Sequence, residues 1–168
     1  MCKNSSNCKI HNRKTNLKVN IDDRFDERRV GKPNDDVIKD WFVRQYMDEN
    51  YKTEGGESQK EVRARFSEVF EEVIDKNKGK RIAIFSHGYA ITFFIMKWCE
   101  FEYIEEEDYM KFTFKDKVIF NKRINAPEVF KLEFDENNEL IDIQNIEFND
   151  LPYKDGMGKK EKIWKETK

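Results

Sequence analysis

The 168-residue chain is poor in the residues that staple, punctuate or anchor a fold: it has 3 cysteines, 3 prolines, 7 glycines and 2 histidines. Cys2, Cys8 and Cys99 are odd in number and follow no framework spacing, which excludes a disulfide scaffold and fits the reduced thiols of a cytoplasmic protein. Cys2, Cys8 and His11 would give three zinc ligands but lack a fourth and sit in a segment without periodicity, so they read as surface residues and no metal is expected. The longest apolar run, Ala90 to Cys99, is about half of the roughly 20 residues that span a bilayer, and Cys2 to Asn20 holds no apolar signal core. The formal net charge is only -2, and no lysine or arginine stretch alternates with stacking aromatics. Membrane and nucleic acid are both excluded as partner classes on these grounds, and no internal repeat is present.

What the chain does have is aromatic weight, 14 phenylalanines among residues of which 39% are charged, the composition of one soluble globular domain. Residues 1–16, rich in Asn, Lys and Ser, read as a loop-like or disordered terminus. Residues 17–152 carry the patterned part, and 153–168 read as a basic polar tail or short terminal helix with isolated Met157, Ile163 and Trp164. Leu17, Val19 and Ile21 alternate as in a short strand, and a charged cluster, Asp22 to Arg29, leads to the breakers Gly31 and Pro33.

Asp35 or Asp36 can cap a helix carrying Val37, Ile38, Trp41, Phe42 and Tyr46 at three- and four-residue spacing. Ser58-Gln59-Lys60-Glu61 is a capping-box pattern, followed by the stripe Val62, Phe66, Val69, Phe70, Val73 and Ile74 and a stop near Asn77-Lys78-Gly79. Arg81 to Ser86 is an almost unbroken apolar run that predicts a strand buried on both faces, hence a parallel sheet. After it, Ala90 to Cys99 predicts a buried helix. Phe112/Phe114, Val118/Phe120, Phe130/Leu132/Phe134 and Ile141/Ile143 alternate as strands, with a turn at Asp135-Glu136-Asn137-Asn138. The fold class expected is α/β, a mostly parallel sheet flanked by helices.

The junction Ser86-His87-Gly88 carries the chemical signal. A histidine at the carboxyl end of a parallel strand, followed by Gly and a helix N-terminus, sits where free backbone N–H groups face an anion, and such a place suits a phosphate. The alternative is that His87 merely fills a turn.

Four segments in order resemble the histidine phosphatase superfamily, the phosphoglycerate mutase-like proteins. They are Phe25-Asp26-Glu27-Arg28-Arg29-Val30-Gly31, similar to the family's Glu-Arg segment; Gly56-Glu57-Ser58 with Arg65; Ile82 to Gly88, similar to its second histidine motif; and Asn125-Ala126-Pro127 before a Phe-rich strand. The resemblance runs from about Asn16 to Phe148. It implies that His87 contacts a transferring phosphoryl group and that Glu27 protonates the leaving alcohol, with no metal or cofactor. Ser86 and Gly88 would border the phosphate. Arg28 is either a substrate-phosphate contact or a solvated arginine of the run Glu27-Arg28-Arg29; Glu57 reads as part of the helix start and Arg65 as part of its polar face.

The family's nucleophile lies in an Arg-His-Gly motif that ends the first strand, and no such triplet occurs in these 168 residues. Lys9-Ile10-His11-Asn12-Arg13 does not fit the pattern, and a second phosphate-binding arginine on the helix before the second strand has no counterpart. The expectation is an N-terminally truncated phosphatase domain, inactive by itself because no imidazole accepts the phosphoryl group. An exposed sheet edge is expected to invite self-association. The competing class is a non-catalytic remnant that binds a phosphorylated ligand or a partner. A small phosphorylated substrate is implied, and the short segment Val30 to Gly55 favours a phosphatase over a mutase.

Overall fold

The computed structural model describes residues 19–32, 38–125 and 128–147. A 3-10 turn, Asp23–Phe25, precedes three helices, α1 (Ile38–Met47), α2 (Gln59–Lys76) and α3 (Gly88–Ile95). Five strands follow: β1 (Glu100–Ile104), β2 (Tyr109–Phe114), β3 (Lys117–Lys122), β4 (Val129–Phe134) and β5 (Leu140–Ile146).

Helix α2 forms where the local chemistry demands it. The Ser58 hydroxyl accepts from the Glu61 N–H while the Glu61 carboxylate accepts from the Ser58 N–H, so two donors that a helix start leaves free are satisfied reciprocally. Ser58→Ala is expected to lower stability by about 1 kcal/mol, read as a shift of the urea midpoint; no shift would mean that Glu61 alone holds the helix start. The stripe Val62, Phe66, Val69 and Phe70 is buried, with Phe66 and Phe70 packed on α3. Phe66 stacks on Phe94 at 4.4 Å and Phe70 lies 4.7 Å from the same ring.

Helix α3 buries Ala90, Phe93, Phe94 and Ile95. It stops short of the predicted Cys99 because Lys97 N–H and Trp98 N–H donate three residues back, to Phe94 and Ile95 carbonyls, tightening the last turn before β1. From α1, Tyr46 stacks on Tyr103 of β1 at 4.9 Å and tilts against Phe101 at 5.7 Å, which ties that helix to the sheet.

Among the described residues the expected parallel sheet does not form: their strands are all antiparallel, arranged as a three-stranded sheet β1-β2-β3 and a two-stranded sheet β4-β5. Residues 81–87 belong to no strand. A strand exists only through a backbone ladder with a neighbour, and among the described residues no strand pairs with this run. Ile82 and Phe85 are therefore each 44% exposed, while Ile84 alone packs against the core. Val19 and Ile21 likewise lie in no strand, and Ile21 is exposed. The role expected for α2 changes with this: its apolar stripe packs on α3 and, through Phe70, on Phe134 of the antiparallel strand β4, not on a parallel sheet.

The late hairpins stand where the alternation put them, with two exceptions of one origin. Register shifts between Phe112/Thr113 and Glu133/Phe134 leave Ile119 of β3 and Ile141 of β5 without a partner. Each bulge inserts a residue, so faces swap beyond it. Phe120 and Ile143 are buried while Val118 and Ile141 stay exposed. Strand β1 was not expected, although Phe101 and Tyr103 between glutamates carry a period-2 signal. No helix among the described residues is long and apolar enough to cross a membrane. The Cys2, Cys8 and His11 group, the Asp35 or Asp36 cap and the tail at 153–168 lie outside the described residues.

Candidate functional site

Three pieces of chain meet around the start of α3. The first is the irregular segment after the 3-10 turn, which carries Glu27, Arg28 and Arg29. The second is the start of α2, with Glu57 just before the cap and Arg65 two turns into the helix. The third is residues 84–88, which lead into α3.

Glu27 reaches across to α3. Its Oε1 accepts from the Ala90 N–H at 3.0 Å and from the Arg28 N–H at 2.9 Å, and its Oε2 accepts from the Tyr89 N–H at 3.4 Å. His87 is the N-cap residue of the same helix, in extended conformation, and its side chain makes no capping hydrogen bond. The Glu27 carboxyl group thus fills the capping position that the His87 side chain leaves, satisfying N–H groups that a helix start leaves free. The two residues singled out in the sequence lie at one helix end, sixty positions apart in the chain.

Gly88 is the first residue of α3. A Cβ placed there would meet no atom of the described residues within 4 Å, and His87 and Gly88 are both exposed. Ser86 is drawn the other way: its hydroxyl donates to the Phe25 carbonyl at 2.7 Å, lashing the 84–88 segment to the Glu27 segment.

Arg28 lies inside the protein, 3% exposed, and is not a solvated arginine. Its Nε donates to the Glu57 carbonyl at 2.7 Å and its Nη1 to Gln45 Oε1 at 2.5 Å. The rings of Trp41 and Phe93 flank it, with centroids 5.6 and 5.5 Å from the guanidinium carbon. Glu57 is also buried and pairs with Arg65, Nε to Oε1 at 2.8 Å. Burial alone would raise the Glu57 pKa; the hydrogen bonds from Arg65 and the Arg29 N–H, with the charges of both arginines, outweigh it and hold the carboxyl below its ordinary 4.5.

Sequence reasoning missed the Glu57–Arg65 pair, because Glu57 precedes the helix and the helical period does not fix where its side chain points. The turn after Val30 was legible in part. Gly31 has φ +75°, and a Cβ on it would stand 2.5 Å from the Glu54 carbonyl, so only glycine lets residues 30–32 run against 53–56.

No curated protein and no solved structure matches the chain. The histidine phosphatase superfamily (branch 1) matches it over residues 6–113, a stretch that contains Glu27, Gly56-Glu57-Ser58 with Arg65, and Ser86-His87-Gly88, and ends before Asn125-Ala126-Pro127. With well over half of its residues inside that match, and with three of the four motifs brought together at the start of α3, the chain belongs to the histidine phosphatase superfamily.

Proposed function

We propose that the open space at the start of α3 holds a phosphomonoester, with His87 against the phosphoryl group and Glu27 as the proton donor to the leaving alcohol. The observation that carries this reading is the Glu27 carboxylate on the Ala90 and Tyr89 N–H groups, beside the N-cap His87. A phosphoryl group in transfer spreads charge over its outer oxygens, so a site for it needs positioned donors, and the leaving oxygen needs an acid within hydrogen-bond reach. The α3 donors nearest the core are already taken by Glu27. The phosphate therefore belongs on the outer side, at His87 and the first helical residue Gly88, with the carboxyl group on the alcohol side.

Hydrolysis of the family type would break the bond between phosphorus and the ester oxygen, pass the phosphoryl group to an imidazole and give the alcohol its proton from the protonated Glu27 carboxyl group. Water would then take the phosphoryl group from the imidazole to give inorganic phosphate. Neither His11 nor His87 stands in an Arg-His-Gly triplet. That observation favours, for these 168 residues alone, a second reading in which the phosphorylated ligand is bound and not turned over. A hydrolase remains the class of the domain, and a phosphatase suits the short segment 30–55 better than a mutase.

The 168-residue chain is expected to bind inorganic phosphate weakly, on the order of millimolar, with amide shifts centred on His87 and Gly88 that His87→Ala removes. It is expected to release no p-nitrophenol from p-nitrophenyl phosphate above buffer. Shifts confined to other elements would overturn the site. Turnover that His87→Ala abolishes and His11→Ala spares would overturn the inactive reading.

A further inference from the structure

We infer that Arg65, through its paired Glu57, is the positioning residue of this site: it fixes the backbone on both sides of Glu27 so that the carboxylate meets the first N–H groups of α3. The role rests on Glu27 being the carboxyl group of the site.

Residues 27–31 have no regular secondary structure, and the hydrogen bonds of the preceding 3-10 turn end at Asp26. Local structure therefore does not set the direction of Glu27. Two bonds from Arg65 of α2 and two from Glu57, just before its cap, hold that backbone. Arg65 Nη1 donates to the Arg24 carbonyl at 2.7 Å and Nη2 to the Glu27 carbonyl at 3.2 Å. The same guanidinium grips both Glu57 oxygens, from Nε at 2.8 Å and from Nη2 at 3.2 Å. Glu57 passes the grip on: its Oε2 accepts from the Arg29 N–H at 2.9 Å, and its own N–H donates to the Arg29 carbonyl at 2.8 Å. The chain is thus held before, at and after Glu27 by one bidentate pair.

That pair suits the task because it is stiff and shielded. A planar guanidinium can fork onto a carboxylate while its remaining N–H groups reach two carbonyls, which the single point charge of a lysine does not do. Glu57 is buried, so salt screens the pair little. The base is rigid as well. Phe66, next to Arg65, packs edge-on to Phe25 at 4.8 Å and stacks on Phe94 of α3. The helix that carries the clamp is thereby packed against the helix whose N–H groups receive Glu27, and the acid spans the two.

The test follows the backbone amide signals of Tyr89 and Ala90 through an acid titration of the folded chain. In the wild type both should follow a carboxyl titration that Glu27→Gln abolishes. In Arg65→Met that response should lose most of its amplitude while far-UV circular dichroism and the aromatic signals of the α2–α3 core stay in place, and Arg65→Lys should not restore it. A full response in folded Arg65→Met would overturn the role and leave Arg65 as a stabilising residue only. Should Arg65→Met fail to fold, Glu57→Gln, which keeps shape and removes charge, must show the same loss, and an undiminished response there would overturn the role. A wild-type response untouched by Glu27→Gln would overturn it too. Phosphate binding is scored separately: loss of the amide response with no phosphate bound by the wild type would keep the positioning role and reject the proposed function.

Discussion

Phe66→Ala is expected to destabilise the domain by about 3–5 kcal/mol, the largest effect of any single truncation proposed for α2. Phe66 is 2% exposed and touches the two partners that define the site's frame, stacking on Phe94 of α3 at 4.4 Å and meeting Phe25 edge-on at 4.8 Å. Removing the ring loses its transfer energy and leaves a cavity between two helices that are both fixed at further points, Phe70 on Phe94 and the capping box at Ser58. Collapse is hindered, which puts the cost toward the upper part of the range. Val118→Ala serves as the comparison, since Val118 lies exposed beyond a bulge and should change stability by no more than about 0.5 kcal/mol. Urea unfolding measures both, with the midpoint moving and the slope unchanged. Equal midpoints for the two variants would show that α2 does not pack where the structure places it.

The contrast between these residues marks where the sequence was legible. Ser58 and Glu61 satisfy each other within one turn, so the start of α2 could be read without knowing the rest of the chain. The hairpins of β2 to β5 were legible for a similar reason, since alternation and the turn at Asp135 are local. The run Arg81 to Ser86 was misread because an apolar stretch announces a need for cover and says nothing about what supplies it. Strand pairing is non-local, and with no strand paired to it among the described residues the expected central strand is an irregular segment with Ile82 and Phe85 half exposed.

The site divides the same way. The order of motifs pointed to Glu27 and His87, and the structure puts them at one end of α3. The direction of Arg28 could not be read, because in an irregular segment no period assigns a face. It turned inward, and Gln45, which carries no sequence signal of its own, became its partner.

That inward turn leads to a sharp expectation for Gln45→Leu. Gln45 is 0% exposed and supplies the side-chain acceptor for a buried guanidinium, whose other acceptor is the Glu57 carbonyl. Among the described residues no carboxylate forms an ion pair with Arg28, burial pushes its guanidinium below the ordinary value, and Arg28 Nη2 and Gln45 Nε2 are both buried without a hydrogen-bond partner. Leucine at position 45 would leave Nη1 as orphaned as Nη2 beside a charge that cannot reach water, at a cost of about 2–3 kcal/mol. Arg28→Met alone would strand both polar atoms of Gln45 and also cost stability. The double variant removes charge, acceptor and orphaned donors together and refills much of the volume, so it should be more stable than Gln45→Leu alone, with a coupling of about 2 kcal/mol in the cycle. Additive costs within about 0.5 kcal/mol would mean that Arg28 finds another acceptor once Gln45 is gone. If the cycle couples as expected, Arg28, the residue next to the proposed acid, acts from inside the core through Gln45.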